Sequence, residues 1–203
     1  MEISPEDRER ISAAIHAAEG KTSGEIVCVL ARTSSDATAL PIFIAALISL
    51  ALPWLLVATT AMPVFRILSL QIAVFLVATA VLCLPQVRVG LIPRPARRAV
   101  AHRAALEQFA IRGVAHRKDR NGILIFVSLA ERYARIIADD GIAARVPQSE
   151  WQGAIDALVA HMRDGRIADG FIIAIEKCGN VLATQFPGNA TDRNELRDRI
   201  YLI

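Results

Sequence analysis

The chain has 203 residues, is 54% hydrophobic with a mean hydropathy of +0.40, and carries a formal net charge of +3. That is too apolar for an ordinary soluble domain, and the basic excess gathers beside one apolar stretch, which argues against nucleic-acid binding. Three cysteines, Cys28, Cys83 and Cys178, keep no pairing or metal spacing; this excludes a disulfide scaffold and fits buried thiols in a reducing compartment.

In chain order, Ser4-Pro5-Glu6-Asp7 starts a helix. Serine caps, proline suits the first helical position, and acids favour the positive end of the helix dipole. Ile11, Ala14, Ile15 and Ala18 recur at helical spacing and Gly20 ends the run. This acidic, amphipathic start has no early apolar core, so no secretory signal is expected. Residues 25–30, EIVCVL, are short, apolar and rich in β-branched side chains, and predict a buried strand. Arg32 to Thr38 forms a polar loop leading to the apolar stretch.

Residues 41–92 organise the chain. The first candidate span, 41–62, carries no charge and as a helix reaches roughly 33 Å, enough for a hydrocarbon core of about 30 Å. The second, 67–84, reaches roughly 27 Å, tolerable with slight tilt or thinning. Gln71 is its one strongly polar side chain, placed near the turn. Pro63-Val64-Phe65-Arg66 connects the two. The pattern predicts a transmembrane helical hairpin. Trp54 falls near mid-helix and is expected to pack, with Pro53 a tolerated kink.

After Arg94-Pro95-Ala96-Arg97-Arg98 a helix is expected over about 97–115, with Leu106, Phe109, Ala110 and Gly113 on one face. Asn121-Gly122 turns into a continuous apolar run over 123–127, which fits a strand buried on both faces. Residues 133–138 read as its antiparallel partner, closed by Asp139-Asp140-Gly141. Ser149-Glu150-Trp151-Gln152 resembles a capping box before a helix carrying Trp151, Ile155, Leu158 and Met162. Ile167, Phe171, Ala174, Ile175, Cys178 and Leu182 continue at helical spacing through Gly170 and Gly179. The tail after Phe186-Pro187-Gly188-Asn189, through Asn194-Glu195-Leu196, reads as short and polar.

Strands 25–30 and 123–127 joined through a helix suggest a parallel crossover. The expected fold is α/β, a small mixed sheet flanked by helices, with the two-helix hairpin inserted in the first crossover. The soluble domain is then discontinuous, 1–40 plus 93–203, around an insert of 41–92. Its two segments must meet on one side of the membrane.

GEIVCVL, NGILIFVSLAERYARIIADDGI, the Trp-led helix and the FPGN…NEL tail together resemble the TPM domain, and in particular its bacterial membrane-protein branch with an inserted hydrophobic hairpin. The resemblance implies an α/β/α sandwich. It also implies one of the roles described for such domains: a metal-binding acid phosphatase, a module in the repair or assembly of membrane complexes, or an auxiliary subunit of receptors.

The residues themselves offer little chemistry. Asp139 and Asp140 follow a strand end, and with Glu25, or Asp169 at a helix start, they offer oxygens to a hard cation, Ca²⁺ or Mg²⁺. Aspartates in turns and caps serve local backbone equally well. His16, His102, His116 and His161 keep no metal spacing and read as surface or boundary residues. Ser128 sits in no nucleophile elbow and reads as a turn residue. No constellation joins a nucleophile to a base. Arg94, Arg97, Arg98 and Arg103 lie just beyond the hairpin, where each contributes about 1 kcal/mol toward anionic headgroups. Seven basic residues flank the spans on the terminal sides (Lys21, Arg32, Arg88, Arg94, Arg97, Arg98, Arg103) against Arg66 in the turn. That bias predicts an inner-membrane protein with both termini in the cytoplasm. A non-enzymatic interaction module for a membrane complex is the expected role, and a phosphatase using the acidic loop is the alternative.

Overall fold

The computed structural model describes residues 3–34, 39–84, 87, 90, 93–114, 121–188 and 198–203. The expected polar tail over 189–197, His116 and Arg88 lie outside the described residues. The chain divides into two compact units, Met1–Ser34 with Val100–Ile203, and Ser35–Ala99.

The first unit is built on a four-stranded sheet of order β3-β2-β1-β4. Strand β1 (Glu25–Ala31) runs parallel to β2 (Gly122–Ser128), in register from Glu25 opposite Gly122 to Ala31 opposite Ser128. Strand β3 (Tyr133–Ala138) returns antiparallel to β2, and β4 (Ile200–Leu202) adds parallel to the free edge of β1. β1 and β2 are buried at every position because helices cover both faces.

The pleat sorts the side chains. Ile26, Cys28, Leu30, Ile123, Ile125 and Val127 face a core shared with α1 (Pro5–Glu19), α6 (Gln152–Arg163) and α7 (Ile167–Gln185). Val27, Val29, Ala31, Leu124 and Phe126 face α4 (Arg94–Ile111) through Ala105 and Phe109. Burial pushes the thiol of Cys28 well up and that of Cys178 up to about 12, so neither is reactive.

The local chemistry of α1 is as expected: Ser4 Oγ accepts from the Asp7 N–H at 3.0 Å, with Pro5 in the first turn. Arg10 then joins α1 to α7, donating to Asp7 Oδ1 at 3.0 Å and to Asp169 Oδ1 at 2.7 Å. Its guanidinium holds the Asp169 carboxyl below the ordinary carboxylate range.

Several details differ from the sequence reading. Helix α4 runs Arg94–Ile111 rather than over about 97–115, and it buries Ala101 and Ala105 while Leu106 stays 46% exposed. Close approach of helix to sheet favours the small side chains. No capping box forms at Ser149. A 3₁₀ turn (Gln148–Trp151) starts after Pro147 and leads into α6 without a side-chain cap. Asp139 instead caps the short helix α5 (Asp140–Ala143), its Oδ1 accepting from the Asp140 N–H at 2.7 Å. The chain ends in β4, an element the sequence reading did not include.

The second unit contains α2 (Ala39–Thr59) and α3 (Val64–Leu82), each long and apolar enough to cross a membrane. They pack on each other, and Ser49 Oγ donates to the Gln71 carbonyl at 3.1 Å. Only 17% and 6% of their most apolar windows are buried, far below what a core helix of a soluble protein requires. Pro53 stays within α2, and Trp54 is 80% exposed rather than packed.

The two glycines of α7 are sites of close approach. A Cβ on Gly179 would lie 2.8 Å from Ala18 Cβ of α1, and one on Gly170 would lie 3.0 Å from the Leu158 carbonyl oxygen of α6. Gly179→Val is therefore expected to cost about 1–3 kcal/mol through overpacking. Adding Ala18→Gly should recover part of that loss. A urea midpoint unchanged by Gly179→Val, with an unchanged slope, would refute the contact.

Candidate functional site

The amino ends of the strands collect acidic groups. Glu25 opens β1 opposite Gly122 and is 4% exposed; its N–H donates to the Asn121 carbonyl at 3.1 Å. Beyond the last β3 residue, the Asp139 N–H donates to the Gly122 carbonyl at 2.9 Å. Glu25 and Asp139 thus flank Gly122 from the two neighbouring strands. Glycine is needed between them, because a Cβ there would meet Val114 Cγ1 at 2.5 Å. Glu19, at the end of α1, adds a carboxylate at this end, its Oε1 accepting from the Ile26 N–H at 2.7 Å.

Two oxygens here are buried and have no hydrogen-bond partner among the described residues: Asp139 Oδ2 and Asn121 Oδ1. The Asn121 amide is oriented by its Nδ2, which donates to the Ser23 carbonyl. Asp140 is exposed on the first turn of α5. Asp169 is held by Arg10 on α7. The structure therefore brings Glu25 and Asp139 to one end of the sheet, with Asp140 next in the chain. Among the described residues, no three His, Cys, Asp or Glu side chains are grouped to hold a metal ion. Asn121 was not singled out from the sequence, where Asn-Gly reads only as a turn.

The carboxyl ends of β1 and β2 hold a second polar cluster that sequence reasoning missed. Glu131, 5% exposed, accepts from Ser128 Oγ, from Thr33 Oγ1 at 3.1 Å and from the Ser34 N–H at 3.0 Å. Ser128 is thus a buried donor at the end of β2 rather than a turn residue. The available signal was a serine and a glutamate three residues apart at a strand end.

Arg94, Arg97, Arg98 and Arg103 all lie on α4. At 100° per residue the first three share the side of Ala101 and Ala105, while Arg103 lies on the opposite side. Arg94, Arg98 and Arg103 are exposed; Arg97 is half-buried, and its Nε has no hydrogen-bond partner. The four do not form one stripe. Of the histidines, His16 meets Asp198 at 2.9 Å and His102 meets the Tyr133 hydroxyl at 3.1 Å, both as boundary contacts.

No curated protein matches the chain. The solved NMR structure of BA42 from the psychrophilic bacterium Bizionia argentinensis matches with a TM-score of 0.64 at 22% identity, over 100% of this chain and 97% of that one, a likeness of fold. The family model of the TPM domain matches residues 73–181. That match begins inside α3 and ends inside α7, so it omits β1 and β4, which the sheet joins to the matched strands. With more than half of its length matched, the chain belongs to the TPM domain family.

Proposed function

We propose that this protein is a membrane-anchored TPM-domain module, with residues 41–92 as a transmembrane hairpin and 1–40 with 93–203 as one discontinuous domain beside the bilayer. The carrying observation is the exposed apolar surface of two helices inserted between strands that pair with each other. Trp54 and Phe65 are each 80% exposed, and leaving such surface in water is unfavourable by about 25 cal/mol per Å². Lipid removes that cost. The domain then rests at an inner membrane, with Arg94, Arg97, Arg98 and Arg103 available to anionic headgroups. Its role is to engage a protein of a membrane complex.

Both termini face the cytoplasm in this reading and the 63–66 turn faces outward, because basic flanks are retained inside. Cysteine labelling tests it in a Cys83→Ala background, since Cys28 and Cys178 are buried with raised thiol pKa. Val64→Cys should react with an impermeant thiol reagent on intact cells, and Asp156→Cys only after lysis. The reverse pattern would overturn the orientation, and reaction of both on intact cells would overturn the cytoplasmic placement.

A second reading, a Ca²⁺- or Mg²⁺-dependent phosphatase, draws support from the unpartnered Asp139 Oδ2 and Asn121 Oδ1. Buried oxygens without donors fit a hard cation. Glu25 and Asp140 would complete such a site. Cation binding to the folded state would then stabilise it by about 2.7 kcal/mol at a hundred times the dissociation constant. Asp139→Asn keeps a competent helix cap, so cation-free stability should change little while the cation-dependent gain disappears. A melting temperature indifferent to millimolar Ca²⁺ and Mg²⁺ would remove the metal site, and the phosphatase with it.

A further inference from the structure

The carboxyl ends of the parallel strands carry groups that neither reading uses. Beside the β2–β3 turn lies a cleft of about 500 Å³, walled by Val127, Leu129, Val159 and Met162 and bordered by Arg132 and Arg163. Its volume lies within the range of small-molecule sites. Its place is also the usual one, since open α/β sheets take ligands outside the carboxyl ends of their strands.

Arg132 is the unusual residue. Its φ is +50°, and among the described residues it is the one non-glycine with a positive φ. It closes the turn, its N–H donating to the Leu129 carbonyl at 3.2 Å. Glycine takes this left-handed position without strain, and hairpin turns of this kind favour it there. A guanidinium kept at a strained position points to a use for it. Among the described residues, neither Arg132 nor Arg163 has an ion-pair or side-chain hydrogen-bond partner. The adjacent Glu131 accepts from Ser128, Thr33 and Ser34, and among the described residues no ion pair joins it to Arg132 or Arg163. Ser128 gives its hydrogen to Glu131 and the Tyr133 hydroxyl meets His102, while the guanidiniums of Arg132 and Arg163 are the charged donors along the cleft.

We propose that this cleft binds a small organic anion, an oxyanion group carried on an apolar body, held between Arg132 and Arg163. Guanidinium forks match the geometry of carboxylate and phosphate oxygens, and the apolar walls receive the body. The anion comes either from solution or from a lipid headgroup.

The test uses the full-length protein in nanodiscs of neutral phosphatidylcholine, titrated with hexyl phosphate and, as a control, hexanol. Hexyl phosphate should bind saturably and raise the melting temperature, hexanol should not, and added salt should weaken the binding. Arg132→Gly should match or exceed the wild-type melting temperature without ligand, because glycine relieves the backbone, yet lose at least about tenfold in affinity. Arg163→Gln should lose affinity similarly with its backbone untouched, so it carries the test if Arg132→Gly folds poorly. Stabilisation that depends on these arginines but appears only in nanodiscs containing phosphatidylglycerol would assign the anion to a headgroup. Binding that survives both substitutions, or no arginine-dependent binding in either nanodisc, would overturn the proposal.

Discussion

β1 and β2 are hydrogen-bonded parallel neighbours, although the whole hydrophobic unit lies between them in the chain. A parallel pair always needs a crossover, and here the crossover carries two long apolar helices before α4 closes it. The register from Glu25 to Ala31 holds only if the chain that leaves after Ala31 comes back to the same sheet. One apolar helix would carry the chain across a bilayer and strand β2 on the far side. Two antiparallel helices return it. For helices that cross a bilayer, the sheet would therefore require an even number of them before any count of charges is made.

The same sheet gives the domain two chemically unlike ends. Glu19, Glu25, Asp139 and Asp140 gather where β1 and β2 begin, while Arg32, Arg132 and Arg163 lie where they finish. Parallel strands enforce this separation, because each contributes its start to one end and its finish to the other. Cation chemistry and anion recognition would thus sit on opposite ends of a rigid sheet, with the packed core between them. Within that core, Cys28 and Cys178 are too deeply buried to act as nucleophiles.

Much of this was legible in the sequence wherever a side-chain pattern was long enough to carry a period. The runs that became β1, β2, α7 and the two apolar helices are of that kind, and their family resemblance agreed with them. Failures came where geometry, not hydrophobicity, decides. Leu106 looks like a core residue and Ala105 does not, yet a helix lying close on a sheet buries the alanine. β4 has three residues, too few for any alternation to show, and it forms because β1 offers an open edge. The Glu131 cluster needs residues from the ends of two different strands, which no local reading joins. The left-handed backbone at Arg132 had no sequence cue, since the residue usual at such a position is glycine. The pairing of Glu25 with Asp139 around Gly122 likewise appears only once three strands are in register.

Glu131 has one more consequence, a mechanical one. Ser34 is the last residue of the first unit before the hydrophobic unit begins, and the Glu131 carboxylate binds its N–H and the neighbouring Thr33 hydroxyl. Tension drawn along the chain from the hairpin meets this buried carboxylate before it meets the β1–β2 ladder. Through Glu131 and Ser128 that pull would reach the end of β2 as well as β1. The polar cluster thereby ties the chain that leaves β1 to the end of β2.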